Sequence, residues 1–327
     1  DKLITTMSKL VFHKSRIRSR NGFLLQWSFL ITFEFIFKKS TVAAYSVAQL
    51  QRLATASSLS YLDITTKMEK SPYFAQSNFS PLSQVVDPAT ESGATIFLDQ
   101  NDDDESAPSL VVACRGSVNL KNFATNLNFK LVPSNKLPGS PQNGNVHNGF
   151  QQAASGLWEY LAPELDAALR KMLESREKNK PGTKIAHIPI TFTGHSLGAA
   201  TALLCAVLHA QRSEEDQVPQ RVSDVTTFGG PLLCDATLAE YITEQALRHC
   251  KITHLVHSAD PVLANNKPLW DQLGFVNTGT ELQCDPYSTT VYNKSEPSSL
   301  LSDGKKVAWN ILDHCNYLGV FMGPRLI

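Results

Sequence analysis

Three observations predict an α/β fold on a mostly parallel sheet covered by helices on both faces. Short apolar β-type runs alternate with longer stretches at helical spacing. One run, Ile188 to Thr193, passes through Gly194-His195-Ser196-Leu197-Gly198 into the helical stretch Ala199 to Gln211. Hydrophobic residues are 42% of the 327 and charged residues 18%, which is enough apolar material for a core and excludes a disordered chain. Composition excludes other classes as well. The 30 basic residues balance 30 acidic ones, so no global field favours nucleic acid. The 17 Gly and 17 Pro exclude collagen-like or Pro-rich repeats, and 6 Cys do not make a disulfide-dense scaffold.

The N-terminal stretch reads as an address. Lys9, Lys14, Arg16, Arg18 and Arg20 precede an apolar run from Phe23 to Phe37, interrupted by Gln26 and Glu34. Thr41-Val42-Ala43-Ala44 then supplies small residues for cleavage, and basic, apolar, small is the order of a secretory signal. The run falls short of the ~20 apolar residues of a comfortable span. Residues 1–44 are therefore expected to be a signal peptide or N-terminal anchor, with an organelle transit peptide or a buried first helix as the other readings. The expected location is secreted or endomembrane. The acceptor sequons Asn78-Phe79-Ser80 and Asn293-Lys294-Ser295 fit that route. Residues 45–327 show no internal repeat or linker and are expected to form one domain.

Within that domain, Val47 to Tyr61 reads as a helix with Leu50, Leu53 and Leu59 on its apolar face. Ala94 to Leu98 and Leu110 to Cys114 are β-type runs, and the acidic Asp102-Asp103-Asp104-Glu105 between them reads as a solvated loop. It lacks the Gly and distal Glu of a calcium loop. Phe150 to Leu173 reads as a long amphipathic helix that Pro163 breaks or kinks. Val225 to Phe228 and Ile252 to Val256 are further β-type runs. Cys114 and Cys205 lie in apolar runs and are expected to be buried thiols; Cys250 and Cys284 are a candidate pair for a bridge. The cysteines show no metal-ligand spacing, and no metal or organic cofactor is expected.

The residues around Ser196 carry the chemistry. Gly194-His195-Ser196-Leu197-Gly198 is Gly-x-Ser-x-Gly between a strand and a helix, the context in which that motif presents a nucleophile at a strained turn. The glycines let strand and helix pass closely. Ser196 would stand at a helix N-terminus, where N–H groups and the dipole favour a developing oxyanion.

A serine hydroxyl needs a base, usually a His steadied by a carboxylate. In a hydrolase sheet with this elbow the chain order is Ser, acid, His. Among 9 His, His314 alone lies beyond every candidate acid. His254 and His257 read as sheet-packing or strand-end residues, and His195, inside the elbow, as structural. Asp260 follows a β-type run and precedes Pro261, which favours it as the acid over Asp235, Asp271 and Asp313. Asp235 reads more simply as a helix N-cap, and Asp313 adjoins His314, so their side chains diverge. The oxyanion donors would be the N–H of Leu197 and the loop Arg115-Gly116-Ser117.

Arg115-Gly116-Ser117, Val146-His147-Asn148-Gly149-Phe150, Thr193-Gly194-His195-Ser196-Leu197-Gly198, Phe228-Gly229-Gly230-Pro231, Asp260-Pro261-Val262 and Asp313-His314-Cys315-Asn316-Tyr317 occur in that order. The ordered set resembles the class 3, fungal-type triacylglycerol lipase family across residues 45 to 327. The resemblance implies an α/β-hydrolase fold, the triad Ser196, Asp260 and His314, and oxyanion donors Ser117 and Leu197. His147 carries no chemistry in that family. A helical lid at about 118–135 is also implied, with Leu120, Phe123, Leu127 and Leu131 on one face; an ordinary surface helix is the other reading. Phe123 and Asn126 stand where the family usually has tryptophan and aspartate.

The implied function is hydrolysis of acylglycerol lipid esters through an acyl-enzyme. The expected partner is a lipid ester at a lipid–water interface, with transient membrane or lipid-droplet contact and no nucleic acid. Phospholipase, galactolipase or feruloyl-type esterase activity with the same triad is the alternative, and a non-catalytic lipase-like protein a third.

Overall fold

The strand β3, Ser109–Arg115, shows how the core is made. Leu110, Val112 and Cys114 belong to one buried apolar cluster, and Val111 and Ala113 to another. Successive side chains on a strand leave opposite faces, so an unbroken apolar run marks a strand buried on both sides. The same split recurs on β2, Gly93–Asp99, where Ala94 and Ile96 join the first cluster and Phe97 the second.

The computed structural model describes residues 46–100, 108–118, 130–179, 188–215, 220–293 and 310–324. The described residues build an 8-stranded sheet, ordered β1-β2-β3-β6-β7-β8-β9-β10. Its members, besides β2 and β3, are β1 Phe79–Val86, β6 Ile188–His195, β7 Gln220–Phe228, β8 Lys251–Val256, β9 Thr280–Cys284 and β10 Val291–Asn293. β3, β6, β7, β8 and β9 run parallel; β1, β2 and β10 add antiparallel edges. This is the mostly parallel sheet the alternation predicts. The edge strands β1 and β10, and β9 beside β10, show no clear apolar signal. β1 holds Ser80, Pro81, Ser83 and Gln84, and its register shifts between Pro81 and Ser83, as suits a proline confined to an edge.

Helices cover both faces. Ser46 caps α1, Val47–Leu59, through a capping box with Gln49. Leu50, Leu53 and Leu59 of α1 are buried with Phe97, Phe228 and Tyr317, each such side chain stabilising the fold by about 1.5–3 kcal/mol. On the other face lie α2, Asn148–Asn179, and α3, Leu197–Glu215. α2 continues through Pro163 rather than breaking there. Pro163 and Glu159 are both exposed, so the carbonyl that loses its donor faces water.

Three shorter helices complete the frame: α4 Ala236–Tyr241, α5 Pro261–Gln272 and α6 Ile311–Cys315. All these described elements fall in one compact unit, Tyr45–Ile327. The address segment 1–44 and the acidic stretch 102–105 lie outside the described residues, as do Leu120, Phe123 and Leu127 of the expected lid. Leu131 is described, and it corrects the expectation. It starts the strand β4, Leu131–Pro133, which pairs with β5, Asn145–His147. The helical spacing 120, 123, 127, 131 therefore does not continue to its last member.

Cys114 and Cys205 are buried, as their runs predict. Cys250 and Cys284 are not joined. Parallel pairing sets Thr253 opposite Thr280 and Val256 opposite Gln283, which puts Cys250 before the start of β8 and Cys284 at the far end of β9. A gap of several strand residues, at about 3.3 Å each, is far beyond disulfide reach.

Candidate active site

The elbow forms because two glycines let a strand and a helix pass at backbone contact. A Cβ on Gly198 would lie 2.2 Å from the Cys114 carbonyl oxygen, and one on Gly194 2.3 Å from the Gly198 carbonyl oxygen. Ser196, between β6 and α3, takes φ 57°, a left-handed conformation costly for a side-chain-bearing residue. Its N–H bonds the Phe228 carbonyl of β7 at 3.0 Å, which pins the turn to the sheet. Leu197 is the first residue of α3, where N–H groups lack intrahelical acceptors.

Asp260 follows β8 and serves as N-cap of α5. Its Oδ1 accepts from the N–H groups of Val262 at 2.8 Å and Leu263 at 3.3 Å. Its Oδ2 accepts from His314 Nδ1 at 2.8 Å and the Tyr317 hydroxyl at 2.6 Å. A carboxylate acceptor fixes the imidazole proton on Nδ1 and leaves Nε2 to accept. The Ser196 hydroxyl is the donor there, with Oγ 2.9 Å from His314 Nε2. Ser196, Asp260 and His314 are each 0% exposed.

Burial pushes the Asp260 carboxyl up, but His314 beside it and the hydrogen bonds from His314 and Tyr317 outweigh that, holding it below the ordinary carboxylate value. The acid is thus a fixed anion facing an imidazole that faces a hydroxyl. That geometry can move a proton from oxygen to nitrogen and stabilise the resulting imidazolium.

The other sequence candidates have separate attachments. Asp235 caps α4 through Leu238 N–H at 2.9 Å. Asp271 pairs with Lys267 at 3.0 Å, and Asp313 accepts from the Tyr287 hydroxyl. His254 lies between strands, with Nδ1 2.7 Å from Thr227 Oγ1. His257 packs on the Tyr317 ring at 4.6 Å between centroids. His147 stacks on Phe150 at 3.9 Å between centroids. Ser117 lies on the loop after β3, next to Gly116, whose Cβ would meet the His195 carbonyl oxygen at 2.6 Å; that loop is therefore held against the elbow.

Sequence reasoning gave Tyr317 and Gly229 no role, although both lie in the quoted motifs. Gly229 adopts φ 57°, and a Cβ there would sit 2.7 Å from the Tyr317 hydroxyl and 3.0 Å from Asp260 Oδ2. The glycine leaves room for the Tyr317–Asp260 hydrogen bond. Only the pairing of distant segments reveals this.

Ser, Asp and His reached in that chain order on a mostly parallel, doubly covered sheet define an α/β-hydrolase. The family model for Lipase (class 3) matches residues 111–265. The chain is 30% identical over 183 residues to secreted mono- and diacylglycerol lipase 1 of Fusarium solani, covering 55% of this chain and 45% of that one. It is 28% identical over 223 residues to a lipase of Rhizomucor miehei, covering 67% and 54%. It is 25% identical over 178 residues to phospholipase A1-II 1 of Oryza sativa subsp. indica, covering 54% and 43%. A solved structure described as a triacylglycerol lipase whose catalytic centre is a serine protease triad superposes with a TM-score of 0.61 at 21% identity, covering 86% of this chain and 98% of that one. Residues 111–265 are thus similar to the class 3 lipase family. The chain spans about half the length of these three relatives.

Proposed function

We propose that this chain is a serine ester hydrolase that cleaves acylglycerol lipids. The observation that carries the reading is the Ser196 hydroxyl 2.9 Å from His314 Nε2, with Asp260 2.8 Å from His314 Nδ1. Ser196 Oγ attacks the ester carbonyl carbon while its proton passes to His314 Nε2. The oxyanion forms opposite the Leu197 N–H and Ser117, whose donors stabilise it. Collapse breaks the acyl–oxygen bond, and His314 returns the proton to the departing glyceride alcohol. Water then repeats the sequence on the acyl-enzyme and releases the fatty acid. Ser196 is fully buried, so entry of a glyceride requires an opening motion.

The lipases among the relatives support an acylglycerol substrate. The rice phospholipase A1 favours a second reading, the same acyl transfer on a phospholipid. The similarity to a secreted lipase supports an address role for residues 1–44 and export of the domain after it. No helix among the described residues is long and apolar enough to cross a membrane.

The test is a panel of emulsified tri-, di- and monoacylglycerol, phosphatidylcholine and galactolipid, run on wild type and Ser196→Ala. The expected result is acylglycerol hydrolysis that falls by about 10⁴-fold or more in the variant with thermal unfolding unchanged. Hydrolysis of phosphatidylcholine alone would establish the second reading, and equal rates for the two proteins would refute both.

A further inference from the structure

The main chain of His314 is held by a second histidine. His314 sits in α6, a 5-residue helix whose carbonyls lack intrahelical donors. Its carbonyl oxygen accepts from His195 Nε2 at 2.8 Å, with both residues fully buried. A carbonyl only accepts, so His195 carries its proton on Nε2, and its Nδ1 is an acceptor. The Tyr61 hydroxyl lies 2.9 Å from that Nδ1 and is its donor. The Tyr61 oxygen packs on the main chain of Gly116. Gly116 has to be a glycine there, since a Cβ would lie 2.1 Å from the Tyr61 oxygen. The bonds therefore run in one direction, from the Tyr61 hydroxyl through His195 to the His314 carbonyl, with Gly116 packed on the Tyr61 oxygen. The bonds and this contact tie together the turn after α1, the loop after β3, the elbow and the C-terminal helix.

We propose that Tyr61 and His195 are positioning residues: through these hydrogen bonds, and the contact of Tyr61 with Gly116, they hold the His314 main chain and the Ser117 loop in register with Ser196. The proposal rests on the ester-hydrolase reading, in which His314 is the base. Burial, and then the charge of His314, hold His195 down at about 3, while burial pushes the Tyr61 phenol up. Both groups stay neutral, so the direction of each bond is fixed at any working pH. The rings of His195 and His314 lie 4.7 Å apart between centroids, and a neutral His195 places no second cation beside an imidazolium. Titratable groups around His314 include Asp260 on its Nδ1 and, packed beyond it, His257, Tyr317 and Asp313, while Arg115 and Cys315 lie near Tyr61; none of them belongs to the chain of bonds.

The experiment compares wild type, Tyr61→Phe, His195→Gln, His195→Leu and the Tyr61→Phe/His195→Leu double variant on a soluble p-nitrophenyl ester. Tyr61→Phe is expected to leave KM unchanged and lower kcat roughly tenfold, the scale of a small misplacement of a reacting group. The acid limb of its kcat profile should move to lower pH, because a loosened imidazolium is held less well by Asp260. His195→Gln keeps an N–H donor and should recover part of what His195→Leu loses. Links in series predict a double variant no slower than His195→Leu alone. Long-range proton–nitrogen spectra of labelled wild type should show His195 as the Nε2–H tautomer, a reading independent of activity and of how the variants fold. An Nδ1–H tautomer, additive losses, or a Tyr61→Phe enzyme with unchanged kcat and acid limb would overturn the proposal. Equal hydrolysis by wild type and Ser196→Ala would instead refute the ester-hydrolase reading, leaving the tautomer to decide whether the chain of bonds exists.

Discussion

Tyr317 donates its phenolic hydrogen to Asp260 Oδ2 at 2.6 Å, the same oxygen that accepts His314 Nδ1 at 2.8 Å. The other oxygen of Asp260 caps α5. The carboxylate is thus clamped from the helix on one side and from the C-terminal turn on the other.

Tyr317→Phe removes one of these donors and little volume. A buried hydrogen bond to a charged group contributes about 1.5–3 kcal/mol, and the variant should lose that much in denaturant unfolding at neutral pH. The pH dependence follows from the lowered Asp260 value. A depressed folded value gives stability that is present above the unfolded carboxylate value of 3.8 and lost as pH falls through the folded one. The gap between wild type and variant should therefore narrow below about pH 4. A gap that stays constant into acid would contradict the assigned role.

Asp260→Asn keeps a helix-capping side chain and replaces the anion by an amide that cannot hold the same imidazole tautomer. Stability should fall by about 1.5–3 kcal/mol as the charge-assisted bonds are lost, while kcat drops by about 10⁴-fold. Steady-state kinetics beside a melting curve check this; a loss below tenfold would mean that Asp260 does not orient the base.

His209 lies on α3, away from the triad, edge-on to Trp158 at 5.9 Å between centroids. Burial, and then Arg212, hold it down at about 4, from an ordinary value of 6.5. The folded protein keeps it neutral while the unfolded chain protonates, so stability is lost as pH falls from 6.5 towards 4. The size is on the order of 3 kcal/mol for this one residue. His209→Phe should flatten that part of the stability profile, and a profile of unchanged slope would show that His209 is charged in the fold.

The elbow was legible because its chemistry is local. Gly194, Ser196 and Gly198 must sit at fixed spacing between a strand and a helix; β3 was legible because both of its faces are apolar, and β6 because Ile188, Ile190 and Phe192 line one face. Asp260 and His314 could be ranked by chain order and strand position. The remainder depends on distant segments meeting. Nothing near Tyr317 says that its hydroxyl reaches Asp260, and nothing near Tyr61 says that it reaches His195. The edge strands β1 and β10, and β9 beside β10, bury too little to show a period, and Pro163 looked like a break because its exposure could not be read from spacing. Leu131 fell on a helical stripe by count, yet pairing with His147 drew it into a strand.

The most direct test of the central claim is covalent trapping of Ser196. A fluorophosphonate should label the native protein to about one equivalent, with the adduct on Ser196 by peptide mapping and no labelling of Ser196→Ala; loss of acylglycerol hydrolysis should track labelling. An adduct on another residue, or full hydrolysis after stoichiometric labelling, would contradict the account.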